Sequence, residues 1–251
     1  MAKNNVPIQE TFDIPSKGKL YNNMVVPQQI TLRAMTALDE KLRLSSNNPF
    51  LTTPKLIRSC MVGDEQIDTM KLKFFDLHFL MYKLRILTYG PEYRIKLTCP
   101  KCGKEFEVVI NLDELECNYA PDNLAESLNI KLPVSGDVIT TKLLDSNDYI
   151  DIGREGQRIL NKFSEYEGDP EYIPGIMARI VSVNGEELVP AKKQAYVENM
   201  HAKDLMIFNS QYEKATGNIG LNLERTDICE KCGNDIEYII PIVREFFRPT
   251  Y

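Results

Sequence analysis

The sequence predicts an α+β protein in three parts: a helical N-terminal part, a four-cysteine zinc ribbon made of two β-hairpins, and a mixed, mostly helical insertion between its knuckles. Three observations carry this reading. Cys99-Pro-Lys-Cys102-Gly103 and Cys229-Glu-Lys-Cys232-Gly233 repeat one turn motif, and paired turns of this kind build a tetrahedral four-thiolate zinc site. Each turn lies between runs with strand character, Tyr93 to Thr98 into Glu105 to Asn111, and Arg225 to Ile228 into Asp235 to Val243. Between Cys102 and Cys229 lie 126 residues, far more than a compact ribbon holds, so a large insertion separates the knuckles. Within each turn the spacing brings two sulfurs to one point with backbone amides aimed at them. The following glycine permits the positive φ that tightens the turn.

The composition bounds the alternatives. With 251 residues, 43% hydrophobic and 26% charged, the chain can bury one sizeable core or two smaller ones. The net charge of −6 argues against a general nucleic-acid surface. No apolar run approaches the roughly 20 residues of a membrane helix, and Met1-Ala-Lys-Asn-Asn5 lacks the apolar stretch of a secretory signal. A reducing cytosol favours metal over disulfide at Cys-x-x-Cys pairs. Four of the six cysteines are then ligands of one structural zinc ion that clasps the two ends of the insertion, and Cys60 and Cys117 are isolated thiols.

In chain order, residues 1–35 read as an extended arm with short strands at Val25–Pro27 and Gln29–Arg33. Ile14-Pro-Ser-Lys-Gly-Lys-Leu-Tyr21 has no helical period. Its Lys-Gly-Lys lacks the rest of a phosphate loop. Residues 36–92 read as helical. Thr36 caps a first helix with acids in its first turn, ending near Ser45 to Pro49. A second runs from about Thr52–Pro54 to Met61. A third, of about 20 residues, is capped by Asp68 and stopped by Gly90-Pro91. Leu72, Phe75, Phe79, Leu80, Leu84 and Leu87 form its apolar stripe, while Lys71, Lys73, Asp76, Lys83 and Arg85 keep it out of lipid. His78, among apolar neighbours, reads as a satisfied or half-exposed helical histidine rather than a zinc ligand.

The first knuckle hairpin occupies 93–117 and the insertion 118–224. Within the insertion, Leu128–Val134 and Val138–Leu144 read as a hairpin. A helix capped by Asp145 to Asp148 runs from Tyr149 to about Tyr166, despite Gly153 and Gly156. Pro174 starts a short helix to Ile180, and Val181 to Val189 reads as a small hairpin on Asn184-Gly185. Two helices follow at 191–199 and 202–215, closed by Gly217. The segment 225–251 holds the second knuckle hairpin and the tail Arg244-Glu-Phe-Phe-Arg-Pro-Thr-Tyr251. Phe246 and Phe247 either pack back on the body or anchor a partner. No hydrolase constellation is present: His78 and His201 are the only histidines and neither sits in an acidic or Gly-rich motif. The chain is read as a non-enzyme.

Several short motifs, in order, resemble the baseplate hub proteins of T-even-like contractile-tailed bacteriophages. They are Ile14 to Tyr21, Ile30-Thr-Leu-Arg-Ala-Met-Thr-Ala-Leu-Asp-Glu-Lys41, Ala178-Arg-Ile-Val-Ser-Val-Asn-Gly185, Asn199-Met-His-Ala-Lys-Asp-Leu205, the second Cys-x-x-Cys, and Phe246-Phe-Arg-Pro249. The resemblance spans about residues 12–250. It implies a multi-copy structural component of the virion tail baseplate, assembled in the host cytoplasm. Its implied partners are other hub and tail proteins and the end of the tape-measure protein. Some relatives are tail assembly chaperones, which would be absent from the finished particle. The resemblance supplies no catalytic residue.

With the arms as partner-binding segments, Leu20, Tyr21, Phe246 and Phe247 are candidate anchors. A zinc-ribbon nucleic-acid binder is the reading from another class. Arg94, Lys96, Lys101 and Lys104 would form its basic patch, against Glu230, Asp235 and Glu237 on the second knuckle.

Overall fold

In the computed structural model, residues 7–22, 24–45, 48–63, 67–163, 167–242 and 244–247 are described. The expectations for Met1–Asn5, for the helix end at Tyr166 and for Arg248–Tyr251 fall outside them.

The N-terminal segment is extended and docks on this chain's own body, as a strand followed by a strap. β1 (Gln9–Asp13) pairs antiparallel with β2 (Gln29–Arg33), register Thr11↔Thr31. The β2 boundaries match the expected strand. Val25–Pro27 is not a strand: Val25 is 93% exposed and Val26 alone turns inward. Between β1 and β2 the Pro/Gly turn lies on the body. Lys17 and Gly18 both have positive φ, and a Cβ on Gly18 would meet the Val26 carbonyl at 2.2 Å.

α1 (Ala37–Arg43) starts at Thr36, as expected. The Asp39 carboxylate reaches back to the Thr36 amide (2.8 Å), and also takes Arg33 Nη1 (2.7 Å) and Ser59 Oγ (2.6 Å). α2 (Pro49–Cys60) begins earlier than expected, because Asn48 supplies a side-chain cap to the Phe50 amide. Asp68 caps only a single 3₁₀ turn, Thr69–Lys71; α3 (Phe74–Tyr89) is therefore 16 residues long and begins after Lys73.

The expectation of a one-sided α3 with solvated charges is corrected. Leu77, Met81 and Tyr82 are buried as well as Phe79, Leu80 and Leu84, so the helix is enclosed on most of its circumference. Asp76 and Arg85 are fully buried and Lys73 nearly so. Each finds its partner inside the protein, which is the condition for burying charge. Arg85 donates through Nε to the Phe246 carbonyl (3.1 Å) and through its Nη atoms to the carbonyls of Gly90 and Glu92. Phe246 is fully buried between the edges of Tyr82 and Tyr93, with ring centroids 4.8 and 5.3 Å away.

β3 (Glu92–Thr98) and β4 (Glu105–Asn111) form the first hairpin, and Tyr93, Ile95 and Ile110 join the main core. β5 (Cys117–Asn118) follows and pairs with β9 (Gly220–Leu221), on the far side of the insertion in sequence. β10 (Glu224–Ile228) and β11 (Asp235–Ile239) form the second hairpin. In both hairpins the residues alternate between inward and exposed positions, as half-buried strands require.

The insertion has a second core around Ile139, Ile180 and Phe208. Its sheet has three strands, β6 (Asn129–Lys131), β7 (Val138–Thr141) and β8 (Ile180–Val183), in the order β6-β7-β8. The expected hairpin on Asn184-Gly185 keeps its turn, with positive φ at both residues, but not its return strand. β8 pairs with β7 instead. The helices are α4 (Ser146–Lys162), α5 (Tyr172–Arg179), α6 (Pro190–Glu198) and α7 (Ala202–Thr216). Asp145 caps α4 through the amides of Asn147 and Asp148. Gly156 within α4 makes room for Glu171, whose Cγ would lie 2.7 Å from a Cβ there.

Several contacts seat the insertion on the first part, two of them beside α3 and α2. The Phe74 amide donates to the Leu144 carbonyl (3.1 Å), and Tyr149 stacks on Phe50 with centroids 5.0 Å apart. Among the described residues, no helix is long and apolar enough to cross a membrane.

Candidate metal centre

Each knuckle is the tip of a hairpin, and the two tips are built alike. The Cys99 amide donates to the Lys104 carbonyl (2.9 Å) and the Gly103 amide to the Cys99 carbonyl (2.9 Å). In the second knuckle, Cys229 to Asn234 (2.9 Å) and Gly233 to Cys229 (2.8 Å) repeat the pattern. Gly103 and Gly233 have φ of 68° and 66°, the conformation that glycine adopts without steric penalty. Phe106 and Ile236, each four residues after the second cysteine of its turn, pack against the sulfurs.

The four Sγ atoms of Cys99, Cys102, Cys229 and Cys232 lie within 4.8 Å of one another. They approach crosswise, Cys99 to Cys232 and Cys102 to Cys229, both at 3.7 Å. Sulfurs placed tetrahedrally at the zinc–thiolate bond length of about 2.3 Å would be about 3.8 Å apart. The donor set and its spacing therefore fit a metal ion held by four thiolates. Cys99 and Cys229 are buried, whereas Cys102 and Cys232 are half-buried.

The electrostatics point the same way. At Cys99 burial opposes ionisation, but the amides of Cys102 and Lys101 outweigh it and hold the thiol down at about 7. At Cys232 the Asn234 amide favours the thiolate, while burial and the three adjacent sulfurs push it up to about 12. Four adjoining thiols cannot all ionise by themselves, and a dication removes that conflict. Cys60 and Cys117 stand apart: burial pushes their thiols up to about 12 and about 11. Neither belongs to the four-cysteine cluster.

The tips lie one hairpin length, roughly 20 Å, beyond the bases, and the insertion departs from the bases. The sulfurs thus tie hairpin to hairpin, whereas the β5–β9 pair closes the root of the insertion. Sequence reasoning missed this two-residue pairing because Cys117-Asn118 and Gly220-Leu221 carry no strand pattern of their own.

The remaining expected residues lie elsewhere. Leu20 is buried with Ala120 and Leu143, and Phe246 is locked in the main core. Both fill this chain's own interior, so neither presents a surface to a partner. The Tyr21 hydroxyl donates to Asp76 Oδ2 (2.6 Å) and accepts from the Lys73 amide (2.9 Å). Phe247 packs on the main core with the Arg43 guanidinium over its ring. His78 is half-buried between the Phe74 and Tyr82 rings, and desolvation there holds it down at about 4. His201 caps α7 through Nδ1. In the foreseen basic patch, Arg94 is paired with Glu107 (3.1 Å) and Lys96 faces Glu107 across the hairpin.

The family described as T4 bacteriophage base plate protein has a sequence model that matches residues 7–248. The chain belongs to this family. The match takes in both cores, the insertion and both knuckles of this baseplate-family chain. No curated protein and no solved structure matches it significantly.

Proposed function

We propose that this chain is a structural component of the phage tail baseplate hub, present in several copies, with one zinc ion joining the tips of its two hairpins. The observation that carries the reading is the baseplate-family match over residues 7–248, nearly the whole chain. The hub position is supported by the ordered short motifs from Ile14 to Pro249. The partners are other hub and tail proteins, with the tape-measure protein as the candidate at the tail axis.

A four-thiolate zinc site is coordinatively closed, with no position for water or substrate, and its role is structural. The chain is accordingly read as non-catalytic. Pairing of Arg94 with Glu107 and the acids Glu230, Asp235 and Glu237 beside the second knuckle weigh against a nucleic-acid reader.

Mass spectrometry of purified virions is expected to find the chain, and elemental analysis about one zinc per chain. Presence in assembly intermediates but not in virions would replace the hub component with an assembly chaperone. Zinc-free, fully folded protein would remove the metal.

A further inference from the structure

Arg179, the last residue of α5, lines a half-open cavity of about 260 Å³ between α3 and the insertion. Phe74, His78, Tyr149 and Tyr212 supply aromatic walls, and Leu144 and Ile219 add aliphatic ones. The guanidinium lies 4.9 Å from the Tyr212 ring centroid. Its Nη1 reaches Asn209 Oδ1 at 3.3 Å, and its buried Nε has no hydrogen-bond partner. Among the described residues, no carboxylate is within ion-pair distance of Arg179, and none lines the cavity. His78 is neutral, because burial holds it down at about 4. Arg179 is therefore the one formal charge on the wall.

Other arginines of this chain are saturated. Arg33 faces Asp39, Arg43 faces Glu40, Arg94 faces Glu107, and Arg85 is taken up by three carbonyls. A guanidinium held among aromatic rings with an idle Nε forfeits hydrogen bonds that water would otherwise supply. Its fork matches a carboxylate bidentately.

We propose that this cavity binds a carboxylate carried on an apolar group. The part of the guanidinium that lines the cavity takes the two oxygens, and the aromatic walls take the apolar part. One guanidinium balances one negative charge, which a carboxylate supplies and a phosphate dianion exceeds. The volume is at the lower edge of small-molecule sites, roughly 300–1,000 Å³, and suits one or two side chains. The carboxylate can come from a small organic acid or chain terminus, or from an acidic side chain of a neighbouring protein.

The test uses the isolated full chain, so its result does not depend on the baseplate assignment. Binding of 3-phenylpropionate, of its amide, and of the blocked peptide acetyl-Leu-Asp-Phe-amide is measured by titration calorimetry and by amide shifts. The acid is expected to bind at least about tenfold more tightly than the amide, with shifts at Phe74, Tyr149 and Tyr212. Arg179→Gln abolishes that preference. Should that variant fail to fold, Arg179→Lys keeps the charge without the fork and is expected to lower the preference several-fold. Peptide binding in the same cavity supports an acidic side chain as the natural occupant, and binding of the free acid alone supports a small acid or a terminus. Equal affinity for acid and amide, no binding of either acid or peptide, or a preference that survives Arg179→Gln would overturn the proposal.

Discussion

At the hairpin tips, residues 99–103 meet residues 229–233 through four sulfurs. At the N-terminal strap, residues 14–21 meet α3 through one carboxylate. Asp76 Oδ1 accepts the Ser16 amide (2.8 Å) and Oδ2 accepts the Tyr21 hydroxyl (2.6 Å). Lys73 then reaches Glu126 of the insertion (2.7 Å), and the Ala120 amide donates to Pro15 (2.8 Å). Both joints pin segments distant in sequence with polar chemistry. They differ in where the partner comes from. The strap carries donor and acceptor in its own chain, so its strength is set by burial and by pH. The tips hold only like groups, which need a cation from outside before they attract. One joint should therefore answer to chelators and the other to protons.

The largest effect is expected at the tips. If the four cysteines hold the proposed zinc, replacing Cys99 and Cys232 by serine should remove it and with it on the order of 10 kcal/mol of metal-linked folding energy, leaving the chain insoluble or the hairpins unfolded. Hydrogen exchange should show residues 92–111 and 224–239 losing protection before α3 does. An unchanged melting temperature in that variant would break the comparison at its stronger side.

At the strap, Asp76→Ala leaves the buried Ser16 amide and Tyr21 hydroxyl without acceptors and should cost about 2–4 kcal/mol in denaturant unfolding. A loss below about 0.5 kcal/mol would mean that the strap is held by Leu20 and Ile14 alone.

Protons give the third test. Burial raises Asp76 from its ordinary 3.8 to about 6, against the opposing help of Ser16, Tyr21 and Lys73. The native state thus binds more protons than the unfolded chain between those values. The stability contributed by the protonated group is complete below 3.8 and is lost as pH rises through 6. Acidification from pH 7 to 5 should raise stability through this group by about 1 kcal/mol, and Asp76→Asn should flatten that slope. A slope of the opposite sign at Asp76 would refute the assignment. Asp39 behaves oppositely: burial disfavours its charge, but Arg33, Ser59 and Thr36 hold it well below the usual carboxylate range. Its contribution is present above about 3.8 and falls away only in stronger acid.

The smallest effect is at the link to the insertion. Glu126→Gln removes the charge opposite the largely buried Lys73 but keeps an oxygen that can accept from its ammonium, and about 1 kcal/mol is expected in thermal unfolding. A larger loss would indicate that the insertion is seated by this pair rather than by Tyr149 on Phe50.

Much of this was legible from residue order. The two Cys-x-x-Cys-Gly turns announce the tips because ligand type, spacing and positive-φ glycine are all local requirements. Thr36 and the Asp145 to Asp148 box mark helix starts for the same reason. Asp76 and Arg85 were not legible as buried: a charge in a helix reads as solvated unless its partners are known, and these include Ser16 and Phe246, 60 and 161 residues away. The Asn184-Gly185 turn was legible because it is a local signal, and it closes on the reciprocal Val183–Glu186 pair; the longer return strand is absent, and β8 pairs with β7.

The sequence by itself determined the four cysteines that cluster, the two hairpins that carry them and most helix boundaries, because caps, turns and alternation act within a few residues. Only the tertiary structure decided that the N-terminal segment is a strap, that Phe246 closes the core, and that β5 and β9 rather than the sulfurs close the insertion. Those outcomes depend on which buried donor meets which acceptor across the fold, and that is set by burial and packing.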